Sequence, residues 1–371
     1  MHVASTIVAC DSAHNTTSTY NIAKENRHEL EKVLIAFQDD SFKYAAAEFL
    51  IDNMMDKFFY EGPALDSMKL LKSKGKLDAS TIDYWNNDFD YTNLTKVYDA
   101  KIISSQHLIN HIEHITKIWQ SRPWQKYYSF QDFCEYVLPY RIDDEPLEYW
   151  CELYYNKYSF VMDSILNHTK DIVEVANCIA NVLKEEGFNN HSDIHLPHLG
   201  AKYLFNNRLG YCRENCDIAI YTMRSLGIPI SSDFYITSPS YNSTHSWNAI
   251  IDTTHLAIPF NYTEEPISRK RRPNERKKGK VYRKLYGNNN LKYGNKSSDN
   301  IPQLFKDPHI IDVSEQYFAP NKHLKIKSIN DKMGLIYLCI FNRSNVYRYI
   351  FLSCENTQIN QSHFVINRFN F

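Results

Sequence analysis

Apolar residues recur at helical spacing through the first half of the chain and alternate in short runs beyond it. Leu30, Val33, Leu34 and Phe37, then Ala45, Phe49, Ile51 and Met54, mark the inward stripe of successive helices between about residues 22 and 190. Residues 106–119 and 171–185 are amphipathic helices by the same pattern. Glu61-Gly62-Pro63, Ser121-Arg122-Pro123 and Asp144-Glu145-Pro146 read as the turns between such helices. A helix over 212–226 places Cys216, Ala219, Ile220, Met223 and Leu226 on one stripe and stops at Gly227 and Pro229. Strand-like runs follow at 230–236, 245–252 and 256–261. Residues 287–299 are low in complexity and read as a mobile loop or linker. After about 308 the chain reads as all-β. Leu335–Phe341 and Tyr347–Leu352 are broken by the turn signal Asn342-Arg343-Ser344-Asn345.

Composition narrows the function classes. The chain has 371 residues, 43% hydrophobic and 23% charged, which is ample for a core of its own. A net charge of −1 provides no whole-chain field for nucleic acid or a membrane surface. Only 10 glycines occur, and no GxGxxG or GxxxxGK[ST] string is present. Eight cysteines with no CxxC pair form neither a disulfide framework nor a zinc knuckle. No run of about 20 apolar residues spans a bilayer. Near the start, Ile7-Val8-Ala9-Cys10 resembles a lipobox, in which Cys10 would carry a lipid anchor. The polar stretch from Asp11 to Tyr20 would serve as its tether.

The candidate chemistry lies at Gly210-Tyr211-Cys212-Arg213. Cys212 stands where a loop becomes a helix, so its thiol faces unpaired N–H groups and the positive end of the helix dipole. Such sites hold a cysteine pKa at roughly 3.5–7.5 instead of ~8.5, and the same N–H groups suit an oxyanion. His245, opening His245-Ser246-Trp247-Asn248, is the candidate base. A hairpin centred on Thr253 would set Asn261 opposite His245 at about 4.5–5.5 Å. There Asn261 would accept from Nδ1–H and aim Nε2 at Cys212, a Cys-His-Asn arrangement. Asp252 falls on the other face of the strand. Pro259 in the second strand signals an edge or a bulge able to shift that register.

These blocks resemble the transglutaminase-like superfamily of papain-like cysteine folds, of the bacterial lipoprotein type. Gly210–Arg213 is similar to its nucleophile motif, and Arg224-Ser225-Leu226-Gly227-Ile228-Pro229 to the end of its first core helix. His245-Ser246-Trp247 is similar to its His-Ala-Trp motif. Asn261 replaces the usual Asp ahead of Thr263. More loosely, Phe133–Arg141 and Glu145–Glu148 resemble the helical region before this domain. The resemblance implies an α+β protein: a signal remnant and tether over 1–21, a helical region over 22–149, and a core over 150–290 with a helix packed on an antiparallel sheet. A β-rich, sandwich-like module, truncated or small, follows over 300–371. It implies cysteine-dependent acyl transfer or hydrolysis on amide bonds in a cell-envelope protein, with Cys212, His245 and Asn261 at the site. The expected substrate is a peptide, glycopeptide or other amide, and the expected state a monomer with no cofactor, no metal and no nucleic acid. The alternative is a catalytically relaxed surface lipoprotein that binds glycan or peptide.

Other features have plainer readings. Cys216 reads as core. His107, His111 and His114 have metal-like spacing but read as a solvated stripe, and His191, His195 and His198 as loop composition. The basic run 269–284 reads as a solvated loop. Trp119, Trp124 and Trp150 read as core at helical spacing, and Trp247 as packing on the nucleophile helix.

Overall fold

The computed structural model describes residues 13–191, 194–236, 244–270, 280–289, 303–318, 335–342 and 345–353. The lipobox-like Cys10 lies outside them, as does most of the basic run, 271–279. The chain is α+β, with helices ahead of a five-stranded antiparallel sheet.

Three helices open the described chain: α1 (Ala13–Ala23), α2 (Arg27–Ala36) and α3 (Ser41–Asp52). Asp40 caps α3 by accepting from Lys43 N–H at 3.1 Å. A small antiparallel ribbon then pairs β1 (Phe58–Glu61) with β2 (Thr95–Tyr98), and α4 (Pro63–Ser73) lies between them. The expected helical region therefore contains a strand pair. Phe58, Tyr60 and Tyr98 supply it with aromatic residues suited to a half-buried pleat. Next come α5 (Ser105–Gln120), α6 (Phe130–Tyr136), α7 (Cys151–Leu166) and α8 (Ile172–Glu185). Ser104, Ser129 and Asp171 cap α5, α6 and α8 through side-chain oxygens. Buried Asp99 takes both Arg141 Nε (2.6 Å) and Nη2 (2.5 Å), and Tyr140 OH donates to it at 2.9 Å. That charge pair fixes the extended segment ahead of α7.

After α9 (Ala201–Asn207), the central helix α10 runs from Cys212 to Ser225. Every residue from Glu214 to Ser225 is buried, polar ones included, so a helix that reads as amphipathic is enclosed on all sides. It ends in a Schellman turn. Gly227 N–H donates to Arg224 C=O and Ile228 N–H to Met223 C=O, both at 2.9 Å, with Gly227 at φ +72°.

The sheet comprises β3 (Ile230–Tyr235), β4 (His245–Ile251), β5 (Ala257–Phe260), β6 (Tyr282–Lys284) and β7 (Ile310–Asp312), in the spatial order β5-β4-β3-β6-β7. Two expectations change here. Tyr282–Lys284, inside the basic run, is a strand and not a solvated loop. Ile310–Asp312, expected in the C-terminal module, closes the sheet beside β6. The sequence signal missed both because these strands are only three residues long. Beyond them, β8 (Leu335–Asn342) pairs with β9 (Asn345–Ser353) around the expected turn.

One hydrophobic core runs from Ala23 to Tyr286, across the expected boundary at 149–150. Trp119, Trp124 and Trp150 are all in it. Polar bonds cross the boundary as well. Arg122 Nε donates to Leu226 C=O at 2.7 Å, Trp124 Nε1 to Gly227 C=O at 2.9 Å, and Tyr128 OH to Ile251 C=O at 2.6 Å. The helical region thus satisfies carbonyls at the ends of α10 and β4.

Candidate active site

The turn that delivers Cys212 is built around Glu214. The Glu214 carboxylate folds back over it: Oε2 accepts from Tyr211 N–H at 2.8 Å and Oε1 from Arg213 Nε at 2.9 Å. Gly210 stands at φ +146°, and a Cβ there would lie 2.6 Å from both Cβ and Cγ of Glu214. Glycine is required by this fold-back. Burial pushes the Glu214 carboxyl up, but the charges of Arg213 and His198 outweigh it and hold it below the usual range. Arg213 Nη2 also donates to Leu196 C=O at 2.7 Å, tying the preceding loop to the helix mouth.

The Cys212 sulfur faces the backbone N–H groups of Ser246 and Arg213. Ser246 is the second residue of β4, so the start of that strand lies at the mouth of α10. One helical turn further on, Asn248 Nδ2 donates to Cys216 C=O at 3.2 Å and fixes the strand on the helix. The structure thereby brings Cys212 to the residue adjoining His245, and both side chains are half-buried. The His245 ring packs 5.9 Å from Tyr235 and 6.0 Å from Trp247.

Three site expectations are corrected. First, the Cys212 thiol is raised and not depressed. Burial is the largest cause, and the two backbone N–H groups oppose it without reversing it. Second, Asn248 pairs with Phe260 and Ile251 with Ala257, so the hairpin centres on Thr254. Asn261 then lies one step past β5, in line with Trp247 and not with His245. Its Oδ1 accepts from Thr263 N–H (3.0 Å) and Oγ1 (2.7 Å), which makes it a turn former. Asp252 fixes the shifted turn, accepting from Thr254 N–H at 2.8 Å and Leu256 N–H at 3.1 Å. Third, Trp247 belongs to a second apolar cluster with Tyr235, Val281 and Val313, apart from the core that holds Ile218, Ala219 and Ile220 of the helix. Its Nε1 donates to Tyr317 OH at 2.9 Å, and that hydroxyl donates to Asp233 at 2.5 Å. Asp233 also holds buried Arg283 through bonds of 2.7 and 2.8 Å.

The histidines differ from their sequence reading too. His111 is buried, its Nε2 donates to Leu138 C=O at 2.7 Å, and burial pushes its pKa down to about 3. His107 and His114 are packed among Tyr149 and Tyr155 rings and are not a solvated stripe. His198 is far from loop filler. Its Nδ1 lies 2.8 Å from Asp217 Oδ2 on α10, and its Nε2 lies 3.6 Å from Asp143, which Lys284 of β6 holds at 2.5 Å. Burial alone would lower the His198 pKa, but Asp217 and Asp143 raise it well above its ordinary value. Burial raises Asp217 to about 6. The sequence signal for this chain was a histidine beside Pro197 and an Asp one turn beyond Arg213, which no local pattern connects.

No protein-family model matches the chain, and no curated protein or solved structure does either.

Proposed function

We propose that this protein performs cysteine-dependent acyl transfer or hydrolysis on amide bonds, with Cys212 as nucleophile and His245 as the group that moves the proton. The observation that carries this reading is the Cys212 sulfur at the first residue of α10, set against the strand end that His245 opens. A thiol raised by burial is protonated at neutral pH. The proton therefore leaves as the sulfur attacks, passing to imidazole, and is not lost beforehand. The S–C bond forms at the amide carbonyl, and the carbonyl oxygen takes the negative charge. N–H groups of the first turn of α10, which have no intrahelical acceptor, stabilise it. As the C–N bond breaks, the imidazolium returns its proton to the leaving amine. Water or an amine then takes the acyl group from sulfur. The lipobox-like segment ending at Cys10 supports a peptide or glycopeptide of the cell envelope as substrate.

A second reading is a binding scaffold that retains this architecture without turnover. The raised thiol and the commitment of Asn261 to Thr263 favour it. The two readings part on the alkylation rate of Cys212 by iodoacetamide at pH 8, followed by peptide mass spectrometry. Exposed Cys178 on α8 serves as the internal reference. Turnover chemistry predicts that His245→Ala slows Cys212 at least tenfold and leaves Cys178 unchanged. Equal Cys212 rates in the two proteins would sink the catalytic reading and leave the scaffold.

A further inference from the structure

Lys57 is a buried amine with no hydrogen-bond acceptor in line with it among the described residues. It stands immediately before β1 and is 9% exposed. Its Nζ lies 3.2 Å from both Nδ1 and Nε2 of His309, the residue before β7. The bonding directions of two ring nitrogens diverge from the ring centre, so an atom equidistant from both lies along neither. Each nitrogen also has a partner of its own. Nδ1 donates to Gly287 C=O at 3.0 Å, and Nε2 meets Asp56 Oδ2 at 2.7 Å. The Tyr286 ring, its centre 4.8 Å from Nζ, presents a face and no acceptor lone pair. Asp56 Oδ1 is enclosed without a hydrogen-bond partner, 3.8 Å from Nζ.

Charges of both signs surround this amine. Asp56, Asp143 and Asp307 favour the ammonium, and Lys284 opposes it. Glu135 is also near, with Oε2 accepting from Tyr286 and Gly287 N–H. Burial outweighs the carboxylates and pushes the Lys57 pKa down to about 8. An amine desolvated in this way keeps its lone pair for a carbonyl carbon. The Asp56 side chain is 39% exposed and that of Lys57 10%, which leaves a narrow opening at Asp56.

We propose that Lys57 is a Schiff-base site for a short-chain aldehyde. The nitrogen attacks the carbonyl carbon, the N–C bond forms, and the C=O π pair goes to oxygen. That oxygen takes one proton from nitrogen and a second from the His309–Asp56 pair, then leaves as water. A C=N bond remains, and its protonated form is a cation. Asp56 Oδ1 is the counter-ion waiting for it. An acyl donor would instead leave a neutral amide among three carboxylates. Nothing in this step involves Cys212, so it stands apart from the amide chemistry proposed above.

The test is reductive trapping on the whole protein with acetaldehyde and sodium cyanoborohydride, read by peptide mass spectrometry. Hydride adds to the iminium carbon and leaves N-ethyl-lysine. Exposed Lys76 is the internal reference. At pH 7 an amine with a pKa of about 8 is neutral far more often than one at ~10.4, so Lys57 should be ethylated at least about tenfold faster than Lys76. That ratio should shrink as the pH is raised to 9. The site is overturned if Lys57 is ethylated no faster than Lys76 at pH 7, if it reacts only once urea has unfolded the chain, or if the ratio ignores pH.

Discussion

Replacing Gly210 by alanine tests the local design of the turn that delivers Cys212. At φ +146° an L side chain is strained, and residues forced into such sparsely populated regions cost about 1–3 kcal/mol. The new methyl would also lie 2.6 Å from Glu214 Cβ and Cγ, with Glu214 Oε2 at 2.9 Å. Glu214 is locked at one end by Tyr211 N–H and Arg213, so it has little room to yield. Overpacking of this kind costs about 1–3 kcal/mol. The sum is a loss of about 2–6 kcal/mol. Urea unfolding followed by tryptophan fluorescence measures it directly. Truncating Glu214 to alanine should not rescue the variant, because its Cβ remains 2.6 Å from the new methyl. A Gly210→Ala protein within about 0.5 kcal/mol of wild type, the ordinary range for an innocuous surface change, would refute the account of this turn.

Asp233→Leu should cost about 3–5 kcal/mol, because it leaves the Arg283 charge buried without its partner. Adding Arg283→Met should recover most of that loss in the same urea titration, and a double variant as weak as the single would contradict the pairing. The His198 contribution depends on pH with a defined sign. Its folded pKa is raised, so its stabilisation is complete below about 6.5 and fades as pH rises through the folded value. His198→Gln should therefore lower the urea midpoint most at pH 6 and progressively less toward alkaline pH; a deficit that grows with pH would reverse the assignment.

Long periodic elements were legible from sequence because they repeat one signal many times. The helices at 105–120, 172–185 and 212–225 lie where their stripes and caps place them, and the three strands from 230 to 260 follow their β-rich runs. The strands at 282–284 and 310–312 were not legible, since three residues carry no period and their partners are remote. Within the site, Cys212 and the start of β4 were found from a helix-start pattern and a short motif. The register of the hairpin was not, because one shift of the turn from Thr253 to Thr254 moves every partner by two positions. Asp252 decides that shift, and its capping role is visible only once Thr254 and Leu256 are in place around it. His198 and Asp217 meet only in three dimensions.

The bonds from Arg122, Trp124 and Tyr128 to Leu226, Gly227 and Ile251 have a consequence for inheritance of the site. A fragment beginning near residue 150 would strand three carbonyls and strip one side of the shared interior. The sulfur at position 212 thus draws its rigidity from a stretch roughly ninety residues upstream. Cys212 and its neighbours cannot be transplanted without those helices, and the smallest unit on which selection can act here is nearly the whole described chain.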